Sequence, residues 1–145
     1  MNDLEWEIIR IGNQIDEAKK IQEVESLFFE TKEKWKNAKG DELTEKVRKL
    51  LVGNFIFIIY KLREFYDKWG RSQLPPSNKE ELNVAEDIIK EVFKVIDNID
   101  GKDFPSYFSE NHRSEAKKGL IDFRMKIDEE KDRLKVHSSG NKHNL

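Results

Sequence analysis

Leu50-Leu51-Val52-Gly53-Asn54-Phe55-Ile56-Phe57-Ile58-Ile59-Tyr60 is the longest uncharged stretch of the chain, bounded by Lys49 and Lys61. β-branched Ile and aromatic Phe suit a strand as readily as a short helix, so the flanks decide. Leu51, Phe55, Ile58, Leu62, Phe65 and Trp69 carry a four-three repeat through and beyond the stretch, with no turn residue at either end. That spacing is the period of one helical face. Phe55 to Tyr60 is apolar on every side, and a helix apolar all round is buried all round. The segment from Asp41 to Trp69 is therefore predicted as the central helix, with its apolar block shielded from water. Gly53 inside it costs about 1 kcal/mol relative to Ala, which points to a close helix crossing.

The neighbouring segments repeat the helical period. Leu4, Ile8, Ile11, Ile15 and Ala18 form one stripe, continued by Ile21, Val24, Phe28, Trp35 and Ala38 after a phase shift near Lys19-Lys20. One helix from Asp3 to Lys39 would measure roughly 54 Å at 1.5 Å per residue, and the shift marks a bend or break. Pro75-Pro76-Ser77-Asn78-Lys79-Glu80 opens a third segment. Ser77 with Glu80 has the spacing of a capping box. Leu82, Ala85, Ile89, Val92, Ile96 and Ile99 then form a stripe, and Gly101 stands where a left-handed C-cap belongs. The fourth segment, from Ser109 to Val136, has Ala116, Leu120, Phe123, Ile127 and Leu134 in phase, interrupted by Glu130.

These segments predict an all-α fold, an antiparallel four-helix bundle whose long first helix is bent or projecting. A single helical domain is expected over residues 1–137 and a disordered C-terminal tail over 138–145. If the surplus of the first helix projects rather than folding back, its apolar stripe calls for a partner chain. With 37% hydrophobic and 39% charged residues, the 145-residue chain has enough apolar matter for one narrow core. A formal charge of -2 argues against attachment to nucleic acid or anionic membrane by bulk charge. The eleven uncharged residues 50–60 fall short of the roughly 20 that span a bilayer. The acidic N-terminus (Asn2, Asp3, Glu5, Glu7) has the wrong sign for a signal peptide. The expectation is a cytoplasmic protein away from membranes.

Several chemistries lack their residues. Without Cys there are no disulfides, thiolate metal sites or cysteine nucleophiles. The Glu-x-x-His pattern of di-iron bundles is absent, because Ser109, Leu134 and Gly140 precede His112, His137 and His143 by three. No phosphate-binding glycine loop and no Gly-x-Ser-x-Gly elbow exists. Acid–base work needs a carboxyl group perturbed by burial, and paired carboxylates such as Glu80-Glu81 and Glu129-Glu130 lie among charges on predicted polar faces, as solvated side chains do. No catalytic residue, metal ligand or cofactor is predicted.

Two resemblances remain. Arg133-Leu134-Lys135-Val136-His137 loosely resembles, over about ten residues, the ending of HEPN ribonucleases, whose Arg and His stand further apart. The resemblance implies ribonuclease chemistry at Arg133 and His137. The plainer reading is two solvated residues at a helix end, where cations suit the macrodipole. Leu43-Thr44-Glu45-Lys46-Val47-Arg48-Lys49-Leu50-Leu51 resembles the start of a basic helix in small helical subunits of type III CRISPR effector complexes. That likeness, over nine residues, implies binding along a nucleic-acid backbone.

Charge supports either of two surfaces. Lys46, Arg48, Lys49, Arg113, Lys117 and Lys118 would meet at one end of an antiparallel bundle and follow single-stranded RNA or DNA, with salt-sensitive affinity. Alternatively, the acidic third segment simply pairs with its basic neighbours. Trp6, Tyr107 and Phe108 compete as hot spots for a protein partner, unless Tyr107 and Phe108 close the bundle end. The leading expectation is a non-catalytic helical interaction protein, a subunit of a larger complex or a homodimer. Nucleic-acid backbone binding ranks second and a degenerate ribonuclease third.

Overall fold

Every helix start exposes orphan amides, and at three of the starts a side-chain oxygen satisfies one and fixes where the helix begins. The Asn2 side chain accepts from Glu5 N at 2.8 Å, Thr44 Oγ1 from Val47 N at 3.1 Å, and the Asn78 side chain from Glu81 N at 2.9 Å. A computed structural model describes residues 2–38, 40, 43–71 and 78–143, with side chains as far as residue 135. It contains five helices: α1 (Asp3–Glu17), α2 (Ile21–Asn37), α3 (Glu45–Gly70), α4 (Lys79–Asn98) and α5 (Glu110–His143). A 3-10 turn, Gly101–Asp103, precedes α5, and no strand occurs among the described residues.

The expectation of four helices becomes five, because the first segment breaks at Ala18-Lys19-Lys20. Its second half folds back on its first. Glu7 pairs with Lys34 at 2.8 Å and Arg10 with Glu30 at 3.0 Å, so α1 and α2 run in opposite directions. The apolar surplus is thus covered within the chain. On α3, Asn54 meets the Ile8 carbonyl and Lys61 the Asp16 carbonyl, which sets α1 and α3 parallel. Glu86 pairs with Lys131 and Asp97 with Lys117, which sets α4 and α5 antiparallel.

α3 is the central helix, packed against all four others. Ile11, Ile15, Phe28, Phe55, Ile58, Leu62, Ile89, Val92, Phe123 and Ile127 belong to one buried cluster around it. Aromatic rings hold the middle: Phe28 and Trp35 each meet the Phe55 ring edge-on, 6.0 Å between centroids. Burying such rings contributes area and a further ~0.5–1.5 kcal/mol per well-oriented pair.

Three local expectations change. The N-cap of α4 is Asn78, and Ser77 lies outside the described residues. Gly101 does not form a left-handed cap. α4 ends at an extended Ile99, the Asp100 side chain caps the 3-10 turn from Lys102 N at 3.1 Å, and the one positive-φ glycine is Gly40. Gly53 marks no crossing either, since a Cβ there would meet nothing within 4 Å. The close approach is at Gly12, where a Cβ would stand 2.7 Å from Asn54 Oδ1. As for the tail expected over 138–145, α5 continues to His143; side chains from 136 and residues 144–145 lie outside the described residues.

Candidate functional site

α1 and α5 flank α3 on either side, and the strip of α3 between them faces outward. Leu51, Phe55, Ile58 and Leu62 carry the buried stripe, while Phe57 and Tyr60, out of phase with it, stand 45% and 44% exposed. Burial of the apolar block is therefore incomplete, contrary to the reading from Phe55 to Tyr60 as shielded on all sides. Phe57 lies against Gly12, its ring 3.5 Å from where a Cβ would be. Tyr60 is one turn on, where i,i+3 side chains are neighbours.

The connection from Phe104 to Ser109 completes this surface. Phe108 turns inward, 1% exposed, with its ring 6.4 Å from Tyr60 and 5.9 Å from Phe104. It is a core residue under the connection and has no surface to offer a partner, which corrects its place among the expected partner residues. Tyr107 turns outward, 56% exposed, and partial burial raises its phenol pKa, with Tyr60 adding to the shift. Phe57, Tyr60 and Tyr107 thus form an aromatic surface. Beside it a groove of about 390 Å³ runs between α3 and α5, lined by Tyr60, Arg63, Tyr66, His112, Gly119 and Phe123 among others. Trp6, also exposed, stands on α1.

The six expected nucleic-acid residues are spread along α3 and the start of α5. Phe108 against Tyr60 sets the start of α5 beside the middle of α3. Lys46 is fourteen residues earlier in α3, about 21 Å along the axis at 1.5 Å per residue. Lys46 and Lys49 thus lie well before the start of α5 along the axis, whereas Arg48 on Asp103 and Arg113 over the adjacent Phe104 converge on the connection. The reason is the connection itself, which runs along α3 from Asp103, 3.4 Å from Arg48, to Phe108.

Most of these cations already have partners. Lys46 pairs with Glu5, Lys49 with Glu45, and Lys117 with Asp97. Arg113 donates to the Phe108 carbonyl at 3.1 Å and covers the Phe104 ring at 4.5 Å. Lys32 on α2 and Lys131 on α5 bond Glu91 and Glu86 of the acidic α4 at 2.7 and 2.6 Å. Charge asymmetry in the sequence is thus spent largely on the order of the helices.

Ser109 Oγ lies 2.7 Å from His112 Nδ1, but Ser109 also accepts from His112 N at the start of α5, as a cap does. Among the described residues no carboxylate bonds the other ring nitrogen. Arg133 is held by Glu130 at 2.7 Å, and the side chain of His137 lies outside the described residues. No group of three or more metal-ligating side chains occurs among the described residues, and no described helix is long and apolar enough to cross a membrane.

An apolar block hides its own outward positions, so composition does not single out Phe57 and Tyr60 in the sequence. The available signal was their phase, off the Leu51–Phe55–Ile58–Leu62 stripe. No protein-family model, no curated protein and no solved structure matches this chain.

Proposed function

We propose that the chain is a non-catalytic helical interaction protein of the cytoplasm, acting as a subunit of a larger complex or as a homodimer. The observation that supports this reading is the aromatic surface of Phe57, Tyr60 and Tyr107. Phe57 and Tyr60 protrude from the central helix, and Tyr107 from a connection anchored by the buried Phe108, so the rings are carried on packed elements. Aromatic residues seated on a fixed frame are the usual anchors of protein interfaces.

The test is capture from the native source. Wild-type chain is compared with a Phe57→Ser, Tyr60→Ser double variant, and co-eluting partners are followed by size exclusion with light scattering. A partner retained by the wild type and lost by the variant, at unchanged helix content, is expected. A wild type that stays strictly monomeric and retains nothing overturns the proposal.

A further inference from the structure

The outer face of α5 has a second, independent pattern. Leu120, Phe123 and Ile127 face the core, and on the opposite side Ile121 and Met125 stand 50% and 59% exposed. They sit within the stripe Ser114, Lys118, Ile121, Met125, Asp128 and Asp132, every member exposed and spaced four, three, four, three, four. This is the seam spacing of helices that pack side by side. Among the described residues Lys118, Asp128 and Asp132 enter no ion pair, whereas Lys117 and Lys131, also on α5, pair with Asp97 and Glu86 of α4.

The order along the stripe is what identifies an occupant. A cation precedes the apolar pair and acids follow it. If the stripe is turned end over end about the level of residue 123, Ile121 falls opposite Met125, Lys118 opposite Asp128, and Ser114 opposite Asp132. A parallel copy would set Lys118 against Lys118 and Asp128 against Asp128. The face is thus complementary to itself in one direction only, which is the requirement of a two-fold, isologous interface.

We infer that α5 docks antiparallel on α5 of a second copy of this chain, with Ile121 and Met125 at the centre and Lys118–Asp128 bridges on either side. This rests on the interaction reading above and names one partner and one face for it, separate from the aromatic surface on α3. The stripe spans about 27 Å of helix and holds two large apolar residues per copy. The contact therefore sits at the small end of specific interfaces, and the dimer is weak and concentration-dependent.

Sedimentation velocity on the full chain, at rising concentration up to about 1 mM, gives the reading. The expected result is a mass moving from 17.2 kDa towards twice that value. Lys118→Glu alone, which opposes acid to acid, and Asp128→Lys alone, which opposes cation to cation, each abolish the shift. An equimolar mixture of the two variants restores it, because each chain then supplies the charge that the other lacks. Both positions are exposed, so helix content and melting serve as controls for folding. A wild type that remains monomeric overturns the inference, and so does a dimer indifferent to both variants. In that second case self-association through another face leaves the interaction reading intact.

Discussion

The side-chain amide of Asn54 on α3 donates to the main-chain carbonyl of Ile8 on α1 at 3.0 Å, in a site where Asn54 is 3% exposed. The bond ties two parallel helices at a fixed height. It is possible only because Gly12, one turn beyond Ile8, leaves room for the Asn54 carboxamide: a Cβ on Gly12 would stand 2.7 Å from its Oδ1. Gly12→Ala forces the carboxamide aside and strains or breaks the bond. Losing a buried hydrogen bond costs about 1–3 kcal/mol, against about 1 kcal/mol of helix propensity gained. The expected outcome is a net loss in the urea midpoint. A double-mutant cycle with Asn54→Ala tests the coupling, since Gly12→Ala costs less once the carboxamide is gone.

Gly53, the next residue to Asn54, behaves in the opposite way. It is inside α3 and a Cβ would meet nothing within 4 Å. Gly53→Ala therefore gains propensity with no steric cost, and a stabilisation of about 0.5–1 kcal/mol is expected. Parallel denaturation of the two glycine variants checks it; equal signs would show that crowding at Gly12 does not set the α1–α3 spacing.

These two glycines also show how far the sequence could be read. The stripes of Ile8, Ile11 and Ile15 and of Leu82, Ala85 and Ile89 are legible because burial on one helix face imposes a local period. The break before Ile21 is legible as a phase shift. Which glycine meets another helix is not local, because it depends on the height at which α1 settles against α3. The scattering of Lys46 and Lys117 has the same origin: the stretch from Gly101 to Ser109 runs along α3 and offsets α5 by several turns. The exposure of Phe57 and Tyr60 is set by where α1 and α5 leave a gap; their phase off the Leu51–Phe55–Ile58–Leu62 stripe shows that they face another side of α3, not whether that side is covered. Ser77 and Asn78 can both cap, and their local sequence does not choose between them.

Lys61 supplies a cap from another helix. It is 7% exposed, and its amine donates to the Asp16 carbonyl at 2.8 Å and to Glu64 at 2.9 Å. α1 has no basic residue in its last turn, so this amine serves the negative end of its dipole. Lys61→Met keeps the stem and removes the donor. A loss of about 1–3 kcal/mol is expected, with faster amide exchange in the last turn of α1 than in its first. Uniform exchange along α1 would reject the capping role.

Between α2 and α4 two carboxylates titrate in opposite senses. The Lys32 amine, bonded to Glu91 at 2.7 Å, holds that carboxyl below its ordinary pKa. A lowered folded pKa adds stability above the unfolded value of about 4.3, and that stability is lost as pH falls through the folded pKa. Glu25 is raised, by burial first and by Asp87 second. A raised carboxyl costs stability once ionised, and the cost disappears as pH falls below the unfolded value. Glu91→Gln should therefore lose about 0.5–1 kcal/mol near neutrality, the scale of a surface or half-buried pair. Glu25→Gln should gain a few tenths of a kcal/mol at the same pH. The Glu25→Gln difference should vanish at about pH 3, below the unfolded value, whereas the Glu91→Gln difference should shrink as pH falls through the lowered folded pKa of Glu91. Thermal melts at the two pH values decide the matter: a Glu25→Gln variant less stable than wild type at neutrality would show that its carboxylate is held by a favourable contact rather than by burial against Asp87.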